Sequence, residues 1–278
     1  MPVPRRYRTE VIVHNSKEEL AEQVAVEGAD LIRRTLAEKG AANIVLATGT
    51  SQFGVLEALV KAPDLAWERV TGFHLDEYVG LPATHPASFR AYLRKHFVRH
   101  VSVEEFYYIN GEGDVESECH RLSEVIAGRS IDVTFLGIGE NGHLAFNDPP
   151  ADFETERPFI LVELSGSCRN QQVREGWFER LEDVPTRAIS MSIRQIMKSK
   201  TLLCACPDAR KAQAVKACLE GPVTPFVPGS ILQRHASARI HLDREAASLL
   251  ERKKTRDWET RTGVSGLQKT ARRKEKRT

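Results

Sequence analysis

The apolar run IDVTFLGI at residues 131–138 leads directly into the glycine-rich stretch GENGHLAFNDPP at residues 139–150, and this junction decides the fold. A continuous run of this length is typical of a central strand that is buried on both faces of a parallel sheet. Glycines at positions 137, 139 and 142 then let the backbone turn sharply and approach a ligand closely. The junction therefore predicts a parallel α/β sheet with a functional loop at the carboxyl end of a central strand.

Strand-like and helical patterns alternate on both sides of this junction. Ser16 and Glu19 form a capping box that begins the first helix, and Gly40 fits its end. Short apolar runs predict strands at residues 11–13, 43–47, 70–75, 106–109, 131–138, 201–206 and 239–242, with helices between them at residues 20–36, 53–60, 88–97, 115–127 and 208–221. This alternation predicts one α/β domain over residues 1–250, with a mostly parallel sheet and helices on both faces.

The charge of the chain is unevenly distributed. Residues 251–278 contain 11 Lys and Arg against 4 Asp and Glu, whereas residues 1–250 contain 29 against 34. We predict that this basic tail is disordered and solvated. A contact of the tail with nucleic acid or another acidic surface is the less favoured alternative. The sequence contains no helix-turn-helix pattern, which argues against a DNA-binding regulator.

The cysteines and the lengths of the apolar segments narrow the class of protein. Five cysteines without a regular framework argue against a secreted disulfide scaffold, and Cys204 and Cys206 lack the further ligands of a zinc site. No apolar stretch approaches the ~20 residues that cross a bilayer, and residues 1–8 contain no apolar signal core. We expect a cytoplasmic protein that makes no membrane contact.

Two further loops follow predicted strands and belong at the same edge of the sheet as the glycine loop. A hydroxyl-rich turn precedes a predicted helix, where exposed amides can bind an anion, although an ordinary tight turn is the better explanation of this feature alone. The turn consists of Thr48, Gly49, Thr50 and Ser51. Asp76 and Glu77 end the next strand, either as a carboxylate general base or as turn acids with one solvated neighbour.

His143 in the glycine loop is the third candidate for chemistry. A histidine in such a loop titrates near neutral pH and can transfer protons, and Asp148 could orient its imidazole. The alternative is a histidine that is merely hydrogen-bonded in a turn. The G-x-G-x-x-G spacing of residues 137–142 does not indicate a dinucleotide site, because His143 and the sequence NDPP replace the expected crossover helix.

Together and in this order, the three loops resemble the glucosamine-6-phosphate deaminase (isomerase) family. The resemblance rests on FHLDEYVGLP at residues 73–82 and on residues 137–149, where the family reads roughly G-x-G-x-D/N-G-H-I/L-x-F-N-E-P. It extends to residues 208–221 and 242–247 and covers residues 11–250. It implies a modified Rossmann-like fold and conversion of glucosamine 6-phosphate and water to fructose 6-phosphate and ammonia, with no metal or organic cofactor.

The resemblance also implies a role for each matching residue. Asp76 would be the base that moves a proton between C2 and C1, and His143 would assist opening of the pyranose ring, with Asn141 and Asp148 beside it. The substrate phosphate would be held by Thr48, Gly49, Thr50, Ser51, Arg169 and Lys211. An amino-sugar phosphate is therefore the expected small-molecule partner, and assembly into a homo-oligomer stays open.

Four departures from the family pattern matter. Asp148 stands where the family usually has Glu, and Asn141 stands where many members have Asp; an amide cannot act as a base, so its role would be positioning. Gln52 replaces the Pro of many relatives. Residues 151–158 (ADFETERP) lack the Ser-Ser and Arg-x-Arg cluster of allosterically activated members, so we expect no activation by N-acetylglucosamine 6-phosphate.

Three alternatives accompany this interpretation. A 6-phosphogluconolactonase would not need the Asp76 base, and its glycine loop usually continues D-G-H-T. A galactosamine-6-phosphate isomerase differs at one sugar epimer, which a single sequence does not distinguish. A non-catalytic sugar-phosphate-binding regulator is supported by Asp148 and the basic tail, and the presence of Asp76 and His143 argues against it.

Overall fold

The computed structural model describes residues 9–251, and ten strands in this range form two sheets. The strands are β1 (Glu10–His14), β2 (Ala42–Leu46), β3 (Val70–His74), β4 (Asp76–Tyr78), β5 (Glu105–Tyr107), β6 (Val133–Leu136), β7 (Phe159–Glu163), β8 (Arg187–Met191), β9 (Thr201–Cys206) and β10 (Ala238–Asp243). Seven of them form one sheet in the order β1-β10-β9-β6-β2-β3-β5, and every neighbouring pair in it is parallel. The predicted α/β fold with a mostly parallel sheet is confirmed.

Seven α-helices connect these strands within the described range. They are α1 (Lys17–Lys39), α2 (Phe53–Leu59), α3 (Phe89–Leu93), α4 (Val115–Ile126), α5 (Gly166–Arg174), α6 (Ile193–Met197) and α7 (Ala212–Glu220). The Ser16 side chain accepts a hydrogen bond from the Glu19 amide, and Gly40 ends α1 in the left-handed conformation, as the sequence predicts. None of these helices is long and apolar enough to cross a membrane.

Helices cover both faces of the parallel sheet because successive strand residues point to opposite sides. In β2, Val45 belongs to a hydrophobic cluster that contains side chains of α4, α6 and α7. Its neighbours Ile44 and Leu46 belong to a second cluster, which contains side chains of α1 and α2. Two cores, one on each face, therefore fix the sheet between two layers of helices.

A second, antiparallel sheet of three strands, in the order β4-β8-β7, is absent from the prediction. Leu75 joins the two sheets, because its N–H donates to Leu46 at 3.1 Å and its carbonyl accepts from Met191 at 2.9 Å. The predicted strand at residues 70–75 is correct only to His74, and Asp76 begins a new strand instead of a turn. This switch between sheets positions the candidate base.

Other differences from the prediction are local. The helix predicted at residues 88–97 is α3 followed by a π-helical turn, Arg94–Val98, and Asp208 caps a short 3₁₀ turn ahead of α7. Helices α5 and α6 were not predicted. The tail predicted to be basic and disordered lies outside the described residues, apart from Glu251.

Candidate active site

A cleft opens where the loops after β2, β3 and β6 meet at the carboxyl edge of the sheet. It encloses about 500 Å³ of space, its open mouth included. Its lining includes the turn 48–51, Asp76, residues 137–139, His143, Gln171, Gln172, Glu175 and Lys211. The three sequence-predicted loops therefore lie together, as the parallel topology requires.

Asp76 presents a buried carboxylate to this cleft. Only 6 % of the residue is exposed, and no group among residues 9–251 donates a hydrogen bond to its carboxylate. Burial, followed by the charge of Glu77, raises the pKa of Asp76 to about 8. A carboxyl group in this environment is suited to exchanging a proton with a ligand near neutral pH.

Glu77 is buried as well, but it has a structural role. Its carboxylate accepts hydrogen bonds from the amides of Tyr78, Phe89 and Arg90 and from the Ser88 hydroxyl. Burial raises the pKa of Glu77 to about 7, although these donors favour its charged form. Glu77 thus holds the start of α3 against β4 and places a negative charge beside Asp76, and the solvated neighbour considered from the sequence is absent.

His143 and Asp148 face each other inside the glycine loop. His143 Nδ1 lies 3.2 Å from Asp148 Oδ1, within ion-pair distance, at an angle poor for a hydrogen bond. Asn141 donates to the same oxygen at 2.8 Å and accepts from the His143 amide at 3.1 Å. The Ser165 amide donates to Asp148 Oδ2 at 2.8 Å. The shorter side chain of Asp148 therefore still reaches the imidazole, and Asn141 positions both groups.

The electrostatic state of Asp148 follows from these contacts. Burial alone would raise the pKa of its carboxyl group, but His143, Asn141 and the Ser165 amide lower that pKa to about 2. Asp148 is therefore a permanent negative charge beside the imidazole.

Gly139 leaves the space that the His143 ring occupies. A Cβ at residue 139 would overlap the imidazole, and the Gly139 amide donates to the His143 carbonyl at 2.9 Å. We predict that Gly139→Ala lowers kcat by roughly 10- to 100-fold, because a displacement of about 1 Å costs that much in a preorganised site. Gly113→Ala is the matched control, since its Cβ would meet its nearest atom only at 3.6 Å. The kcat of both variants is measured by steady-state kinetics, and equal values would contradict this role of Gly139.

The hydroxyl-rich turn lines one wall of the cleft. Gly49 has a φ of 97°, and the buried Thr48 Oγ1 has no hydrogen-bond partner among the described residues. Gln52, unlike the Pro of many relatives, is fully buried and donates to the Leu136 carbonyl at 3.0 Å, which ties the turn to β6. Helix α2 has only seven residues, so the turn itself, more than a helix dipole, offers the groups that can bind an anion.

The two cations predicted to bind phosphate are in different places. Lys211 lines the cleft with its ammonium 3.5 Å from Glu175. Arg169 does not line the cleft; its guanidinium donates to the carbonyls of Leu181 and Val184 and so fastens α5 to the following turn. The structure therefore brings Lys211 to the turn 48–51 and leaves Arg169 outside.

Helix α5 and the residue that follows it contribute three polar groups to the cleft that the sequence interpretation missed. Gln172 accepts a hydrogen bond from the Tyr78 hydroxyl at 2.7 Å, and Gln171 accepts one from the Glu140 amide at 2.9 Å. Glu175 follows α5 and accepts from Gln171 Nε2 at 2.7 Å. The Q-Q-x-x-E pattern at residues 171–175 was the available signal, but the sequence does not show which sheet this helix packs on.

Cys168 lies beside the histidine–carboxylate pair. Donor atoms of His143, Asp148 and Cys168 fall within 4.8 Å of one another, a spacing that could hold a metal ion. Burial raises the pKa of the Cys168 thiol, so it stays protonated, and Asp148 already accepts from Asn141 and Ser165. These properties suit a buried structural thiol better than a metal ligand.

The fold and the cleft define the class of protein first. A parallel α/β sheet with an unpaired carboxyl group, a histidine–carboxylate pair and a hydroxyl-rich turn at its carboxyl edge is typical of an enzyme that moves protons on a small ligand. The chain belongs to the family described as glucosamine-6-phosphate isomerases/6-phosphogluconolactonase, whose model matches residues 15–241.

Individual relatives agree with this membership. The chain is 38% identical over 240 residues to a glucosamine-6-phosphate deaminase of Bacillus thuringiensis (strain Al Hakam), covering 86% of this chain and 88% of the relative. A monomeric glucosamine-6-phosphate deaminase of known structure matches with a TM-score of 0.80 at 33% identity, over 86% of this chain and 99% of that one. A 6-phosphogluconolactonase from Trypanosoma brucei matches in fold, with a TM-score of 0.73 at 15% identity over 88% of this chain and 100% of that one.

Proposed function

We propose that the chain converts glucosamine 6-phosphate and water to fructose 6-phosphate and ammonia. The observation that carries this proposal is the Asp76 carboxylate, which is buried in the cleft without a donor among the described residues and has a pKa raised to about 8. A lactone hydrolase removes no proton from carbon, whereas an aldose–ketose isomerisation requires one base beside C1 and C2. The relatives at 33% and 38% identity are deaminases, which supports the same reaction.

In this proposal His143 assists the opening of the sugar ring. The imidazole, beside the charged Asp148, transfers a proton to or from the ring oxygen, and the pyranose becomes an open-chain aldehyde. Asn141 holds His143 and Asp148 in register through its amide group. Asp148, like the Glu usual in the family, then serves to orient the imidazole and balance its charge.

Asp76 acts on the open chain. The ionised carboxylate removes the proton from C2, the electron pair forms a C1–C2 double bond, and the carbonyl oxygen takes a proton from water and becomes a hydroxyl. Transfer of the proton from Asp76 to C1 leaves an iminium group at C2, which gives one proton back to the hydroxide. The resulting imine adds water and releases ammonia as the C2 carbonyl forms. The carboxylate, close to both carbons, can perform both proton transfers without rearrangement of the site.

The substrate phosphate binds in this proposal between the turn 48–51 and Lys211. The turn offers the Thr48 hydroxyl, which lacks a partner among the described residues, and Lys211 offers the charge. Binding energy from this remote group would position the reacting carbons. Arg169 is not part of the proposed phosphate site, because its guanidinium is used by backbone carbonyls.

Release of ammonia by the purified protein tests this proposal. Glucosamine 6-phosphate, galactosamine 6-phosphate and 6-phosphogluconolactone are supplied in parallel, and ammonia, ketose and acid are measured. We expect ammonia and fructose 6-phosphate in equal amounts from the glucosamine ester, at a higher kcat/KM than for either other compound. Faster turnover of the galactosamine ester or of the lactone would reassign the substrate, and binding without any turnover would indicate a regulator.

The raised pKa of Asp76 predicts a pH dependence. Activity needs the ionised base, so kcat/KM rises with pH and reaches half its plateau near pH 8. Stability changes in the opposite direction: between the ordinary value of 3.8 and about 8 the unfolded carboxyl group is ionised while the folded one keeps its proton, so raising the pH destabilises the fold. Glu77→Gln removes the neighbouring charge and should lower the pH at which kcat/KM reaches half its plateau. A kcat/KM that falls or stays constant over this window would contradict the assignment.

A further inference from the structure

Lys211 is the only cation in the lining of the described cleft, and a carboxylate of the same chain already neutralises it. Lys211 Nζ lies 3.5 Å from Glu175 Oε1, and the two side chains are only 6 % and 5 % exposed. An ion pair this buried is screened little by solvent and salt. The part of the cleft that should attract an anion therefore carries no net positive charge from its lining.

Glu175 is held in this position by the end of α5. Gln171 Nε2 donates to the Oε1 atom of Glu175 at 2.7 Å, and the Glu175 amide donates to the Gln171 carbonyl at 2.9 Å. The carboxylate also lines the cleft itself, beside Gln171 and Lys211. Glu175 is thus an anchored group of the site and not a surface charge that swings freely.

Other basic residues near this end of the cleft are also paired with carboxylates. Arg174 forms an ion pair with Glu140. The Arg210 guanidinium contacts Asp208 at 2.8 Å and lies 3.8 Å from Glu140. An arriving dianion therefore finds no unpaired cation among these described side chains to replace Lys211.

We propose that Glu175 is a specificity-determining residue, which competes with the substrate's phosphate group for Lys211. The inference rests on the proposed function for the identity of the ligand, an amino sugar esterified with phosphate. A bound phosphate must displace the Glu175 carboxylate or share Lys211 with it, and either event subtracts from the binding energy that the ester contributes. Glu175 therefore reduces the preference of the site for a phosphorylated amino sugar over the unphosphorylated sugar. Without Glu175, Lys211 and the turn 48–51 would give a stronger preference.

The variant Glu175→Gln tests this competition, because it keeps the shape and the contact with Gln171 but removes the charge. Inorganic phosphate is the probe, and its Kd is measured by titration calorimetry on the full-length protein. We expect the Kd to fall at least tenfold, which corresponds to about 1.4 kcal/mol. Glu179→Gln is the control with the same change of charge, since Glu179 is exposed and does not line the cleft.

Kinetics separate a specificity role from a structural one. In Glu175→Gln the ratio of kcat/KM for glucosamine 6-phosphate to that for glucosamine should rise, mainly through a lower KM for the ester. Glu175→Ala gives a second variant for the same two measurements. Phosphate binding that is unchanged or weaker in both variants, relative to Glu179→Gln, would overturn the proposal. Tighter phosphate binding without ammonia release from any sugar would keep the inference and reject the proposed reaction.

Discussion

Replacement of Asp76 by asparagine is expected to lower kcat roughly 10³-fold, the middle of the range that a positioned general base contributes. The amide has nearly the same shape as the carboxylate but cannot accept a proton from carbon. Binding of the phosphate ester depends on other groups, so KM should change by no more than about threefold if substrate release is fast. The measurement is steady-state ammonia release at saturating glucosamine 6-phosphate.

The control for this variant changes an aspartate outside the cleft. Asp183→Asn removes a carboxylate that pairs with Arg180 on the surface, and it should leave kcat unchanged. Thermal denaturation should show that Asp76→Asn folds, and its Tm should not fall at neutral pH, because the native carboxyl group is buried and carries a desolvation penalty when ionised. A folded Asp76→Asn enzyme with kcat within tenfold of the parent would reject Asp76 as the base.

Replacement of His143 by glutamine is expected to lower kcat roughly 10²-fold, the lower end of the contribution of a general acid–base group. Glutamine retains a hydrogen-bonding side chain in the space over Gly139, but it does not exchange protons near neutral pH. The loss should fall on ring opening, so an open-chain analogue of the substrate should be affected less than the pyranose. His120→Gln is the control, because His120 is 72% exposed and pairs only with Glu124 among the described residues.

The contact between His143 and Asp148 predicts that their variants are not additive. If Asp148 acts only through the imidazole, by orienting it and by lying beside it as a negative charge, Asp148→Asn adds little to the loss of kcat already present in His143→Gln. If the losses in kcat of the two single variants instead multiply in the double variant, Asp148 acts on the substrate independently of His143. A His143→Gln enzyme with kcat within threefold of the parent would reject the role of the imidazole.

The main sheet could be predicted because its strands are apolar on both faces and alternate with helices. The run at residues 131–138 is unusually clear, and β6 occupies its centre. The three-stranded sheet was not predicted, because β4 has only three residues and its partners β7 and β8 lie far from it along the chain. Tertiary pairing through Leu75 and Ser190, not local propensity, forms that sheet.

The site was partly predictable for a related reason. The loops with Asp76 and His143 follow strands, so the parallel topology alone brings them to one edge. From the sequence alone, Arg169 and Lys211 are equivalent candidates for binding phosphate. Only the fold shows that Arg169 binds backbone carbonyls while Lys211 lines the cleft. The pairing of Lys211 with Glu175 joins residues 36 positions apart, which no local pattern reveals.

Asp76 is proposed to move a proton between C2 and C1 of an amino-sugar phosphate. Glucosamine 6-phosphate is converted in deuterated water, and the fructose 6-phosphate formed is followed by NMR. In the parent enzyme and in Asp183→Asn, we predict that C1 of the product receives one hydrogen, which is either the proton taken from C2 or a deuteron where the Asp76 carboxyl group has exchanged with solvent. In Asp76→Asn, labelled and unlabelled product should both appear roughly 10³-fold more slowly. Product formed as fast by Asp76→Asn as by the parent would overturn this assignment.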